Sequence, residues 1–140
     1  MNANQIIAAL DLAPHPEGGW YRQTWEAPAE SGIRPAGTAI DFLLRAGESS
    51  HWHRVDAAEI WLWHAGAPLV LSRSETDEGP ATDTVLGPDP IRQTVRAVVE
   101  VNHWQAARTT GEWTLVSCVV MPGFRFEGFH LADPDFDIPR

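Results

Sequence analysis

The sequence predicts an all-β sandwich or barrel with one short amino-terminal helix. Short runs rich in Val, Ile, Thr, Phe and Trp recur along the chain. Clusters of Gly, Pro, Asn and Asp interrupt them about every ten residues, the spacing of a many-stranded β domain. Only the opening residues space their apolar side chains at helical period. At 140 residues, the chain is read as one domain over 1–140, long enough to bury a core without disulfides.

Asn2–Leu10 has good helix formers with Ile6, Ile7 and Leu10 on one face, which predicts a helix within 2–12, ending before Pro14. Prolines and a Gly-Gly pair make Leu12–Arg22 a turn into an extended segment, and Tyr21, Thr24 and Trp25 are strand formers. Pro28–Pro35 is a loop, and Thr38–Leu44 a strand with Asp41 as its odd polar member. Within Gly47–Gly66, His51–His53 and Glu59–His64 are read as extended strand and Ala65-Gly66 as a turn. Leu69–Leu71 is a short strand, Ser74–Pro80 a solvated loop, and Val85–Gly87 a strand entering a turn. Gln93–Val101 holds one or two strands, and Asn102-His103 fits a tight turn. Trp113–Val120 is a strand ended by Pro122-Gly123. Phe124–Phe129 alternates like another, and the acidic tail 133–140 is expected on the surface or mobile.

Composition removes several functions. A net charge of −9 argues against nucleic acid and anionic membrane as partners. All ten basic residues are arginine, so Schiff-base chemistry and a phosphate-binding P-loop lysine are excluded. The single Cys118 lies in an apolar strand and reads as a core thiol. The chain shows no signal-peptide start and no apolar run long enough for a bilayer, so a cytoplasmic location is expected.

Chemistry concentrates in Gly47–Gly66, which carries His51, His53, Glu59 and His64 among three tryptophans. Strand alternation puts His51 and His53 on one face. It also puts Glu59, Trp61 and Trp63 on one face and His64 on the other.

This stretch resembles the first motif of the cupin superfamily: Gly, five residues, His, one residue, His, three or four residues, Glu, six residues, Gly. Counting from Gly47, the motif falls on His53, Val55, Glu59 and Gly66, so four of five positions match and Val55 stands in a His place. The second motif, Pro-x-Gly-x-x-His, falls on Glu100–Gln105, with Gln105 in its His place. A narrower resemblance rests on Pro14–Arg22, Ser50–Val55, Glu59–Trp61, His64–Gly66, Trp104–Ala107 and Pro122–Phe124. By these segments the chain is identified as a member of the branch called cupin 5. The resemblance implies a double-stranded β-helix (the cupin jelly-roll barrel), commonly a homodimer, and no agreed activity.

The resemblance leaves three roles open for the site. The usual cupin metal set is three His and one Glu. Here His53 and Glu59 remain, Gln105 offers a weak carbonyl oxygen, and His51 or His103 are substitutes, so a divalent transition metal is one expectation. Acid–base chemistry is the second, with His53 as base, Glu59 orienting it, and Tyr21 as the one tyrosine available as an acid. A small polar or carbohydrate-like molecule bound without conversion is the third. Its pocket would be walled by Trp61, Trp63, Phe124 and Phe126 with His51, Gln105, Tyr21 and Arg22 nearby. Trp61 and Trp63 could equally fill the barrel, leaving a structural dimer. His15–Gly19 either shapes a turn or delivers Glu17 or Arg22 to a pocket. Arg22 and Arg125 at the mouth would favour an anionic ligand.

Overall fold

A computed structural model describes all 140 residues. Helix α1, Ala3–Ala9, starts at Asn2, whose side chain accepts from the Gln5 backbone N–H while Gln5 reaches back to the Asn2 N–H. That capping box satisfies two of the helix's orphan donors. Ile6 and Leu12 pack on Leu43 and fix the helix to the barrel's outer face.

Eleven strands follow: β1 Ala13–Pro14, β2 Trp20–Glu26, β3 Thr38–Arg45, β4 Ser49–Val55, β5 Ala58–Gly66, β6 Leu69–Ser74, β7 Thr82–Leu86, β8 Arg96–Val99, β9 Trp104–Thr109, β10 Trp113–Met121 and β11 Phe129–Leu131. They form a six-stranded antiparallel sheet, β1-β2-β3-β10-β5-β8, and a five-stranded one, β11-β4-β9-β6-β7. Inward side chains of both sheets make one core around Phe42, Leu44, Trp61, Leu69, Leu71 and Val116.

Register divides the interior into a filled end and an open end. On β10, Val116 and Cys118 enter the core and Val120 does not; on β3, Phe42 and Leu44 enter it, Ile40 packs at its margin and Thr38 lies beyond, both lining the open end. Val120 pairs with both Thr38 and Glu59, one rung beyond Cys118, which pairs with Ile40 and Trp61. Side chains alternate strictly along a strand. Glu59 therefore faces the same interior as Trp61, two residues nearer the open end.

Two stretches differ from the sequence-based expectation. Phe124–Phe129 is not one strand. Beyond Met121 no neighbouring strand pairs with it, and Phe126–Gly128 forms a 3-10 turn before β11. The rings of Phe124, Phe126 and Phe129 pack edge to face or tilted on one another, with Phe124 and Phe126 centroids 5.0 Å apart. The tail is on the surface but pinned there. Ile138 is fully buried, Asp137 accepts from the Trp52 indole at 2.8 Å, and the Pro139 carbonyl accepts from Ala81 N at 2.7 Å.

Candidate functional site

The open end holds a cavity of about 250 Å³ lined by His15, Glu17, Tyr21, His53, Glu59, Phe124 and Phe126, with Gln23, Thr38, Ile40, Val55 and Val120. His53 arrives on β4 through a bulge. Ser50 pairs with Ala107 and His53 with Gln105, so three steps on β4 oppose two on β9. A bulge re-aims the side chains beside it. Ser50 and His53 are consequently both buried, whereas His51 turns out and its Nε2 lies 2.7 Å from the Asp133 carbonyl. The expectation that His51 and His53 share a face fails for this reason, and His51 does not line the cavity.

Glu17 is delivered by a route that strand alternation does not reveal. Gly18 has φ +106°, and a Cβ there would run into the Ser49 carbonyl oxygen. At Gly19, with φ +78°, a Cβ would sit 2.8 Å from Phe42 and Leu44. Only glycine allows so close an approach at positive φ. It brings the Glu17 carbonyl to the His51 N–H at 2.8 Å and the Glu17 carboxyl to the Ser50 hydroxyl. The Gly-Gly pair was the available signal, because adjacent glycines mark a place where backbone must pass close to something else.

Protonation follows from the partners. His53 Nδ1 is 2.7 Å from the His51 carbonyl, which can only accept, so Nδ1 carries the hydrogen and Nε2 is a bare lone pair. His15 Nδ1 accepts from the Glu17 backbone N–H at 3.1 Å, so it too carries no hydrogen. Glu17 Oε1 lies 3.5 Å from His53 Nε2 and 3.4 Å from His15 Nδ1, between two lone pairs. At Oε1 a carboxylate faces no donor, the Ser50 hydroxyl serving Oε2, whereas a carboxylic acid can donate from Oε1 to His53 Nε2. Burial accordingly pushes Glu17 up to about 8, against the smaller opposing effect of the Ser50 hydrogen bond.

Burial also raises Glu59 to about 7, against the pull of His53, Gln105 and the Cys118 thiol. It lowers His53 and takes His15 down to about 4. Near neutral pH the site holds neutral imidazoles, a protonated Glu17 and a Glu59 poised between its two forms.

Gln105 is fully buried, and both ends of its amide are engaged. Its Oε1 accepts from the Trp61 indole at 2.7 Å, and its Nε2 donates to Glu59 Oε1 at 3.0 Å. Trp61 fills the closed end of the barrel. Trp63 is half-buried with its indole on the Ala67 carbonyl at 3.1 Å, and neither tryptophan lines the cavity. Arg22 is exposed: Tyr21 and Gln23 on either side of it line the cavity, so alternation turns Arg22 outward, opposite Asp41. Arg125 is held on Asp56 at 3.3 Å, beside the Arg34–Asp56 pair. His64 is exposed and bonded to Ser117 at 2.6 Å.

The residues present do not fit the usual cupin metal set. Val55 has no donor atom, the Gln105 carbonyl oxygen is already taken, and His51 lies outside the cavity. No three His, Cys, Asp or Glu side chains converge in a geometry that could hold an ion.

A two-sheet jelly-roll open at one end, with a polar cluster under aromatic rings, defines a cupin barrel. Residues 4–132 match the family described as "Cupin superfamily (DUF985)", and the chain belongs to that family. Two solved structures support this over nearly the full length. A protein from Shewanella oneidensis is 35% identical, with 95% of this chain and 85% of that one covered at TM-score 0.88. A hypothetical protein from Leishmania major is 28% identical, with 94% and 88% covered at TM-score 0.85. The oxalate decarboxylase of Lactobacillus farciminis, 16% identical over 86% of this chain and 33% of that one at TM-score 0.63, shares the fold. Among curated proteins, none matches the chain. No helix is long and apolar enough to cross a membrane.

Proposed function

We propose that this protein binds a small polar molecule in the barrel cavity and exchanges a proton with it through His53, without a metal. The observation that carries this reading is the bare His53 Nε2. The ring is clamped at Nδ1 by the His51 carbonyl, buried, and open to the cavity at Nε2. A base needs that combination: a fixed tautomer, a neutral resting state and an accessible lone pair. Glu17, rather than Tyr21, stands nearest as the acid. A proton taken by Nε2 can pass to Glu17 Oε1, 3.5 Å away, once that carboxyl has given its own to the ligand. Glu59 acts electrostatically, since its hydrogen bonds go to Gln105 and Cys118 and not to His53.

Deuterium exchange from solvent into a panel of hydroxy-ketones, followed by NMR, tests the chemistry. Wild type is expected to exchange a carbon-bound proton, and His53→Gln to abolish that exchange while still binding. Absence of exchange across the panel, with binding retained, favours a carrier or sensor. That second reading draws support from Val55 and Gln105 in place of ligating histidines. We also propose self-association as a homodimer. Exposed Val98 on edge strand β8, with Val95 and Val101 beside it, supports that reading. A mass that does not change with concentration in sedimentation, equal to one chain, would remove it.

A further inference from the structure

We propose that the molecule taken by this cavity is a small organic cation, an ammonium compound whose N–H donors meet Glu59, Glu17 Oε1 and His53 Nε2 while its apolar part lies against Tyr21, Phe124 and Phe126. The proposal rests on the reading of the cavity as the ligand site and adds the ligand's charge.

The first argument is the inventory of charge. The cavity wall contains two carboxyl groups and two imidazoles, and no arginine. The chain has no lysine to supply a counter-charge. Each arginine that sequence or position would bring near is committed elsewhere. Arg22 points out of β2, and Arg34 and Arg125 sit on Asp56. Arg73 donates to the Val98 carbonyl at 2.6 Å and to Thr84 at 2.7 Å. An anionic ligand would enter beside two acids with no cation to meet it, so the sequence-based expectation of an anion is reversed.

The second argument is the kind of hydrogen-bonding group presented. His53 Nε2 is a lone pair, while His15 Nδ1 already accepts from the Glu17 backbone N–H and the Ser50 hydroxyl is already bonded to Glu17. His53 is fully buried, and the one side chain beside its Nε2 is the Glu17 carboxyl, with Oε1 at 3.5 Å. Glu59 Oε1 accepts from the Gln105 amide at 3.0 Å, a donor that favours the ionised form against the larger effect of burial. The inner end of the cavity therefore offers acceptors to a ligand that brings donors. An ammonium brings three donors and a charge, and charge-assisted bonds are about twice as strong as neutral ones. The outer walls are aromatic, and a cation is attracted to such faces. A volume of about 250 Å³ restricts the ligand to a small molecule.

The proton economy agrees with this arrangement. Burial without a cationic partner keeps Glu17 protonated and Glu59 partly so near neutral pH, and a bound cation replaces those protons. Tyr21, His15 and His53 line the same cavity, and the Cys118 thiol lies against Glu59. Binding should consequently release protons to the buffer.

Butylammonium, 1-butanol and butyrate, equal in chain length and different in headgroup charge, are the probes. Binding is followed by saturation-transfer NMR and by calorimetry in two buffers of different ionisation enthalpy. Wild type is expected to prefer butylammonium over butanol by roughly tenfold or more, to release protons on binding it, and not to bind butyrate. Glu59→Gln, whose fold is checked by circular dichroism, should erase the preference. Butanol or butyrate binding as well as butylammonium would overturn the cation proposal. So would a preference that survives Glu59→Gln, which would assign it to general attraction by a chain of net charge −9. Val55→Phe, or Ile40→Phe should the first not fold, fills the cavity. If the plug displaces butanol or butyrate and wild type shows no ammonium preference, the cation proposal fails and the cavity site stands. If the plug displaces none of the three, the cavity reading itself fails.

Discussion

Replacing Glu17 by Gln is expected to flatten the pH dependence of stability. The Glu17 side chain is 9% exposed, and burial moves its carboxyl from the ordinary 4.5 to about 8. Between those values the folded protein keeps a proton that the unfolded chain has released. Stability linked to Glu17 is whole below 4.5 and is lost as pH rises toward the folded value. Each pH unit in that window costs about 1.4 kcal/mol, and half-titration at the upper end trims the sum. From roughly pH 6 to pH 8, Glu17 accounts for a fall of about 2 kcal/mol. Glu59, raised to about 7, adds a smaller fall in the same direction. His15, lowered to about 4, acts oppositely, because stability drops as pH falls below its ordinary 6.5. The His15 contribution is common to wild type and variant, while loss of the Glu17 charge also eases ionisation of Glu59 and adds to the difference in the same direction. Urea unfolding followed by tryptophan fluorescence at roughly pH 6, 7 and 8 measures it. Wild type should lose about 2 kcal/mol more than Glu17→Gln over that range. Parallel profiles would refute the reasoning, because they would mean that Glu17 ionises in the fold as readily as in water.

Four further outcomes follow from the same geometry. Trp61→Phe leaves Gln105 Oε1 unpaired in the interior and should cost about 1–3 kcal/mol in urea unfolding. Ile138→Ala removes the buried anchor of the tail. A cost of about 2–4 kcal/mol is expected, with faster proteolysis after residue 133. Gly18→Ala forces a side chain into the Ser49 carbonyl at positive φ. It should lower stability by on the order of 2 kcal/mol and abolish binding in the cavity, since Glu17 can no longer approach β4; unchanged binding would show that Glu17 is dispensable. Dialysis against a strong chelator should leave the melting temperature unchanged, and a clear drop would restore a metal to the site.

The strands were legible because their inward faces are apolar at period two. The match at Gly47, His53, Glu59 and Gly66 also carried the family. The site was legible in part. His53 and Glu59 stand where the motif places them, and both line the cavity. His51 was misplaced because a bulge, which inserts one residue without any compositional mark, resets alternation at a single step of β4. Phe124–Phe129 alternates correctly for a strand that has no neighbour to pair with. Trp61 and Trp63 share Glu59's strand but lie toward the filled end, a position along the barrel axis that periodicity cannot supply.

By itself, the sequence determined the fold class, the amino-terminal helix, the family, and the exclusion of lysine-based chemistry. These depend on local pattern, on spacing within one segment, or on composition. Tertiary structure alone decided that Glu17, 36 residues before His53 in sequence, stands 3.5 Å from it in space. It also decided that Gln105 is spent on Trp61 and Glu59, and that every nearby arginine turns away from the cavity. Those facts arise where three separate segments meet, and they fix the charge and the proton count of the site. Both depend on which groups are buried together, and burial is a property of the assembled barrel.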